Sequence, residues 1–161
     1  MEATEKTVSR VDSVTDVLSG KLSDILDQKT RGEIQVNSDC IVAAAARKMR
    51  DDKVGGLMVV KDDTLVGIFT ERDLMSRVVA EGLDPEIIRV SEVMTSEIAT
   101  VPPETSVSEA ANLMSQNRIR HLPVLQDGKL YGVISAGDIL AWKLREQEFT
   151  LHQLEDYFFK S

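Results

Sequence analysis

The chain has little of what most chemistry requires. Cys40 is its single cysteine, so an internal disulfide is excluded, and nothing in the cysteine usage points to an oxidising compartment. Two histidines and one cysteine, far apart along 161 residues, make no metal-ligand spacing, and no metal site is expected. No apolar run approaches the roughly 18 residues of a membrane span. Lys and Arg number 19 against 27 Asp and Glu, a net charge of −8. The clustered basic surface that holds nucleic acid is missing, so neither nucleic acid nor membrane is expected as a partner. There is no Walker loop, no GxGxxG, no nucleophile elbow and no Ser-His-Asp set in recognisable context, so the chain does not read as an enzyme. The N-terminus lacks an apolar signal core and carries Glu2, Glu5, Asp12 and Asp16, against a transit peptide. A cytoplasmic protein is the default expectation.

What the chain does have is repetition. Residues 36–74 and 101–139 align without a gap at an offset of 65. Val36, Val42, Ala45, Ala46, Met49, Leu57, Val59, Asp62, Leu65, Gly67 and Asp73 recur as Val101, Val107, Ala110, Ala111, Met114, Leu122, Val124, Asp127, Leu130, Gly132 and Asp138. Repetition on this scale decides architecture before any local assignment does. A unit of this size is marginal alone, so two copies are expected to stabilise each other as one module.

Each copy reads strand, helix, strand, strand, helix. The opening strands are Glu33–Val36 and Ile98–Val101. Val42, Ala45, Ala46 and Met49, and likewise Val107, Ala110, Ala111 and Met114, fall at i, i+3, i+4, i+7 and make one apolar helix face. Ser106-Val107-Ser108-Glu109 reads as a capping box. Ile41 stands at the matching position in the first copy, so its cap is expected at Ser38 or Asp39. Short apolar runs follow in pairs, 57–60 with 65–69 and 122–125 with 130–134. Polar turns separate them, and Asp127-Gly128 is a strong hairpin signal. Each hairpin leads into Thr70-Glu71-Arg72-Asp73 or Ser135-Ala136-Gly137-Asp138, then a second helix. Residues 1–20 form a lead-in with Val8, Val11, Val14 and Leu18 at helical spacing. Residues 80–89 link the copies, the first spanning 21–79 and the second 90–145. The tail, 146–161, continues a long helix with Leu151, Leu154 and Phe158 on one face, and the tail region holds most of the aromatics, Trp142, Phe149, Tyr157, Phe158 and Phe159.

This pattern resembles the CBS (cystathionine beta-synthase) domain as a tandem pair, the Bateman module. The residues that carry the resemblance are Val93-Met94-Thr95, Thr100-Val101, the capped helix, Asn117 to Val124 with Arg120-His121-Leu122-Pro123, Gly132 to Ser135, and Asp138. In the first copy they are Val54 to Val60 and Gly67 to Asp73. The likeness covers about residues 20–145 and extends to small stand-alone CBS-pair proteins. It implies a mixed α/β fold, two repeats packed with pseudo-two-fold symmetry, and a regulatory module that binds adenine nucleotides or related adenosyl ligands in clefts between the copies. AMP, ADP and ATP are the first candidates, with NADH and S-adenosylmethionine behind them, and no cofactor is required.

The site residues implied are Thr70, Arg72, Asp73, Thr95, Ile98, Thr100, Val101, Arg120, His121, Ser135 and Asp138. Asp73 and Asp138 match the ribose position, where a carboxylate accepts from both hydroxyls, as the acidic residue does in dinucleotide folds. Thr70 and Ser135 open the following helix, where a hydroxyl and free N–H groups suit a phosphate, although the same spacing also serves a plain helix cap. Arg120-His121 matches the phosphate-binding pair, Arg offering a charged fork. Thr95 and the segment Ile98–Val101 match the adenine-lining segment. The first copy departs in two places. Gly55-Gly56 stands where the basic pair would be, and three extra residues between Leu26 and Val36 put Asp27 opposite Thr95. The better-formed cleft is therefore expected to combine Asp73 with Thr95–Val101.

Two other readings stay open. The chain could be a structural dimerisation protein with empty clefts, or a small redox regulator of a partner enzyme, a role implied by some relatives and not by these residues. The resemblance implies a homodimer, built on the helices after Val42, Val107, Asp73 and Asp138; the tail is a second candidate surface, since Leu151, Leu154, Tyr157 and Phe158 exceed what a solvated helix needs, and an unidentified protein target is a further expected partner.

Overall fold

Val42, Ala45 and Met49 recur on one helix face, and all three are buried, as are Val107, Ala110 and Met114 in the second copy. The computed structural model describes residues 20–29 and 34–159, with side chains as far as residue 155. The lead-in valines therefore lie outside the described residues. In chain order the elements are α1 (Leu22–Gln28), β1 (Gln35–Asn37), α2 (Val42–Asp52), β2 (Gly56–Lys61), β3 (Thr64–Thr70), α3 (Glu71–Asp73) running on as a π-helix (Leu74–Val79), α4 (Val90–Val93), α5 (Val107–Asn117), β4 (His121–Gln126), β5 (Lys129–Ser135) and α6 (Ala136–Phe159). The described residues divide into two compact units, one of residues 34–101 and 123–133, the other of residues 20–29, 102–122 and 134–159.

In the first of these, the sheet unit, β1 pairs parallel with β2, and β2 antiparallel with β3. The hairpin turn between β2 and β3 places Asp62 and Asp63 both at positive φ, the geometry whose twist suits a two-residue hairpin; Asp127 and Gly128 do the same between β4 and β5. The core joins Val36, Val42, Ala45, Met49, Leu57, Val59, Phe69, Val78, Val90 and Val93. Phe69 is fully buried, a contribution of about 1.5–3 kcal/mol. In the other, helical unit, Leu22, Ile25, Val107, Ala110, Met114, Leu122, Ile134 and Ile139 are buried. Helices α2 and α5 end alike. Lys53 and Arg118 take the left-handed conformation without being glycine, and the N–H groups of Val54 and Ile119 reach back to the carbonyls of Met49 and Met114 at 3.0 Å.

Four local expectations need correction. Helix α2 is capped neither by Ser38 nor by Asp39. Ile41 is its N-cap without a side-chain bond, and the linker supplies the missing acceptors: Val42 N–H donates to the Ile88 carbonyl at 3.0 Å and Ala43 N–H to the Pro85 carbonyl at 2.9 Å. At α5 the Ser106 hydroxyl does accept from Glu109 N–H at 3.0 Å, but the reciprocal bond of a capping box is not made; on either side of Ser106 the chain is tied to the start of α1 instead, Leu22 N–H donating to the Thr105 carbonyl at 2.9 Å and Val107 N–H to the Gly20 carbonyl at 3.1 Å. The second copy's opening strand is reduced to one parallel bridge, Val101 with Val124, because Pro102 and Pro103 follow at once and cannot donate to a ladder. The first copy's strand does form, as Gln35–Asn37. Finally, the helix after Asp73 is not regular: three α-helical residues pass into six of π-helix.

Candidate functional site

The Thr-x-x-Asp motif builds its own corner. Thr70 ends β3 in an extended conformation and is the N-cap of α3. Its hydroxyl accepts from Asp73 N–H at 3.3 Å, and Asp73 Oδ2 accepts from Thr70 N–H at 2.9 Å and from the Thr70 hydroxyl at 3.1 Å. The capping role is thus realised in full. It also holds the carboxylate in place, and Asp73 is only 5 % exposed. Its other oxygen, Oδ1, accepts from Thr95 Oγ1 at 2.9 Å. Arg77, four residues on, brings Nε to 3.8 Å from the same oxygen and anchors itself on the Met94 carbonyl at 2.7 Å.

Thr95 comes from the segment after α4, and β3 pins it there. Ile68 and Thr95 exchange both backbone hydrogen bonds at 2.9 Å. Gly67 allows this approach, since a Cβ at residue 67 would lie 2.6 Å from Met94 Sδ and 2.9 Å from the Thr95 carbonyl oxygen. The predicted partners Thr70, Asp73 and Thr95 are therefore brought together. Arg72 and Thr100 are exposed, and Ile98 and Val101 half-buried, in the same unit; among the described residues no hydrogen bond links any of the four to the carboxylate.

In the helical unit the motif is repeated with a different neighbour. Ser135 N–H donates to Asp138 Oδ2 at 2.8 Å and Asp138 N–H to the Ser135 hydroxyl at 3.2 Å. The third partner is Lys29, whose Nζ stands 2.6 Å from Asp138 Oδ2. Burial works to raise the Asp138 pKa, but hydrogen bonds from Lys29 and Ser135 and the lysine charge together outweigh it and hold the group below its ordinary 3.8. Arg120 is exposed and its carbonyl accepts from Ala136 N–H at 2.8 Å, which ties the start of α6 to the start of β4; His121 begins β4 and is half-buried.

Asp27 does not take the place opposite Thr95 that the alignment assigns it. The extra residues lengthen α1 to seven residues against four in α4, so Asp27 stays helical and exposed while the C-cap Lys29 reaches the carboxylate. Sequence reasoning missed Lys29 and Arg77. The i, i+4 spacing of Asp73 and Arg77 was a legible signal; for Lys29 there was none.

Comparison with known proteins identifies the repeated unit. The CBS domain family model matches residues 22–80 and again 90–145. A CBS domain-containing protein of Arabidopsis thaliana, CBSX3, described as mitochondrial, is 34 % identical over 148 residues, 86 % of this chain and 72 % of the relative. A Burkholderia ambifaria protein with CBS domains superposes with a TM-score of 0.76 at 37 % identity, covering 80 % of this chain and 96 % of that one. A hexameric CBS-CP12 protein from bloom-forming cyanobacteria gives a TM-score of 0.66 at 36 % identity over 76 % of this chain and 71 % of its own. Among the described residues no helix is long and apolar enough to cross a membrane. Two matched copies, a repeated Thr/Ser-x-x-Asp corner and neighbours that are themselves CBS-domain proteins lead to one conclusion: the chain belongs to the CBS-domain family, as a tandem pair.

Proposed function

We propose that this CBS pair is a regulatory module that binds an adenine nucleotide or a related adenosyl ligand and has no catalysis of its own. The observation that carries the reading is the 2.9 Å bond between Asp73 and Thr95, which joins the end of one copy to the start of the next at a carboxylate. Asp73 Oδ1 takes one hydrogen bond and keeps acceptor capacity for a ribose hydroxyl. Arg77, half exposed above it, is the movable cation that a ligand displaces on entry. At Asp138 a ligand must instead compete with Lys29, so the Asp73 site is the stronger one. Arg120 and His121 supply charge or a donor for phosphate in the helical unit. Occupancy stabilises the form that binds, and through it biases association with a second copy and with a protein target. The cyanobacterial neighbour, itself hexameric, supports association. A cytoplasmic site of action is part of the reading.

Calorimetry with AMP, ADP, ATP, NADH and S-adenosylmethionine tests it. One of these binds and Asp73→Ala weakens it tenfold or more, while at the separate Asp138 corner Arg120→Ala weakens AMP more than adenosine. Failure of all five to bind would return the chain to a purely structural dimerisation role.

A further inference from the structure

Helix α6 runs without a break for 24 residues, and its use as packing ends halfway. Ile139 is buried and Trp142, Lys143 and Glu146 are partly covered, but every described residue from Gln147 to Glu155 is exposed. A polar helix could project in this way. This one carries Leu140, Leu144, Leu151 and Leu154 at 61, 52, 60 and 49 % exposure. An isolated helical extension with an unburied apolar stripe has nothing to hold it in water, since helices draw most of their stability from a packed face.

The spacing of the stripe says what packs there. Residues 140, 144, 147, 151, 154 and 158 alternate in steps of four and three, the seven-residue period of a two-stranded coiled coil. In that register Leu144, Leu151 and Phe158 hold the a positions and Leu140, Gln147 and Leu154 the d positions. The flanking charges select the partner and its direction. Lys143 falls at g, and Glu148 and Glu155 at e. Two parallel copies bring Lys143 of each, whose Nζ also donates to Ser108 Oγ at 3.0 Å and lies 3.6 Å from Glu146 in its own chain, toward Glu148 of the other, twice by symmetry. An antiparallel pair would set the e-position glutamates against one another. Gln147 pairs with itself across the parallel seam, and a polar residue at one core position fixes register and strand number at some cost in stability.

We infer that the distal half of α6 is a parallel, in-register coiled-coil contact with a second copy of this chain. This deepens the association part of the proposed function and does not rest on the ligand. The seam spans under three heptads, so it works as a clamp on copies held near one another.

The test uses the full chain with Cys40→Ser as background and no nucleotide. Gln147→Cys lies on the seam and cross-links to a disulfide dimer under mild oxidation; Phe149→Cys, on the opposite side of the helix, does not. Leu151→Glu, at an exposed position that leaves the fold intact, raises the dimer dissociation constant at least tenfold in sedimentation equilibrium. Lys143→Glu weakens the dimer, and the added Glu148→Lys restores it. A monomeric parent chain, equal cross-linking at 147 and 149, or a dimer indifferent to Leu151→Glu overturns the inference. Ligand titration of the same variants is a separate readout, so loss of one proposal leaves the other standing.

Discussion

Asp73 and Asp138 stand at the same step of a repeated motif and are held by the same two bonds from a Thr or a Ser, yet their surroundings differ in kind. Asp73 is nearly sealed, and its third partner is the neutral hydroxyl of Thr95. Asp138 has a side chain 21 % exposed, and its third partner is the cation Lys29. Local capping chemistry, which needs only four consecutive residues, was copied with the repeat. The third partner lies just past the short helix that opens a copy, α4 for Asp73 and α1 for Asp138, and a difference of three residues in that helix's length accompanies the exchange of a hydroxyl for an ammonium. One copy thereby presents a carboxylate whose cation, Arg77, stands off at 3.8 Å, the other a carboxylate closely paired with Lys29 at 2.6 Å.

Removing each carboxylate in turn should separate the two corners most widely. Asp73→Ala leaves the Thr70 N–H and the Thr95 hydroxyl without their acceptor in a buried corner, a loss of about 1–3 kcal/mol for each unsatisfied group. Asp138→Ala frees a partly exposed Lys29 that water can solvate, and costs less. Denaturant unfolding of the two variants should show Asp73→Ala clearly the weaker protein. Equal losses would mean that the two corners are energetically alike and that the identity of the third partner is unimportant.

A subtler route leaves the carboxylate alone and moves its partner. Gly67→Ala sets a methyl group against Met94 Sδ and the Thr95 carbonyl, and relieving such overpacking typically costs about 1–3 kcal/mol. Because the Thr95 backbone is bonded to Ile68, the strain passes to the Thr95–Asp73 bond. Hydrogen exchange at the Thr95 and Ile68 amides should speed up, with the Asp138 corner unchanged. Unaltered exchange at both amides would show that Met94 alone absorbs the methyl.

The smallest effect concerns acid. The Asp138 pKa in the folded protein lies below its ordinary 3.8, so between the two values the unfolded chain binds more protons than the folded one. The stability from this group is present above 3.8 and is lost as pH falls through the folded value. Lys29→Met removes the main opposing charge and lets burial raise the pKa. The acid-dependent drop of the denaturant midpoint below pH 3.8 should shrink in this variant, while the midpoint at neutral pH falls slightly. A pH profile parallel to that of the parent chain would show that Lys29 does not set the Asp138 charge.

Repetition, helix faces and hairpins were all legible in the amino-acid order because each rests on contacts within a few residues. Periodicity of Val42, Ala45 and Met49 announces a buried stripe, Asp-Gly announces a turn, and Thr70 with Asp73 announces a cap whatever surrounds them. The cap of α2 was not legible, since its acceptors are the carbonyls of Pro85 and Ile88, more than forty residues away and belonging to a linker without a motif. Nor was Lys29, which meets Asp138 only because α1 continues through Asp27. The family, the repeat and two carboxylates at matching positions follow from residue order alone. Which side chain faces each carboxylate does not follow from it, because that depends on where a distant helix stops, and a carboxylate's protonation responds to whatever stands within hydrogen-bonding distance of it.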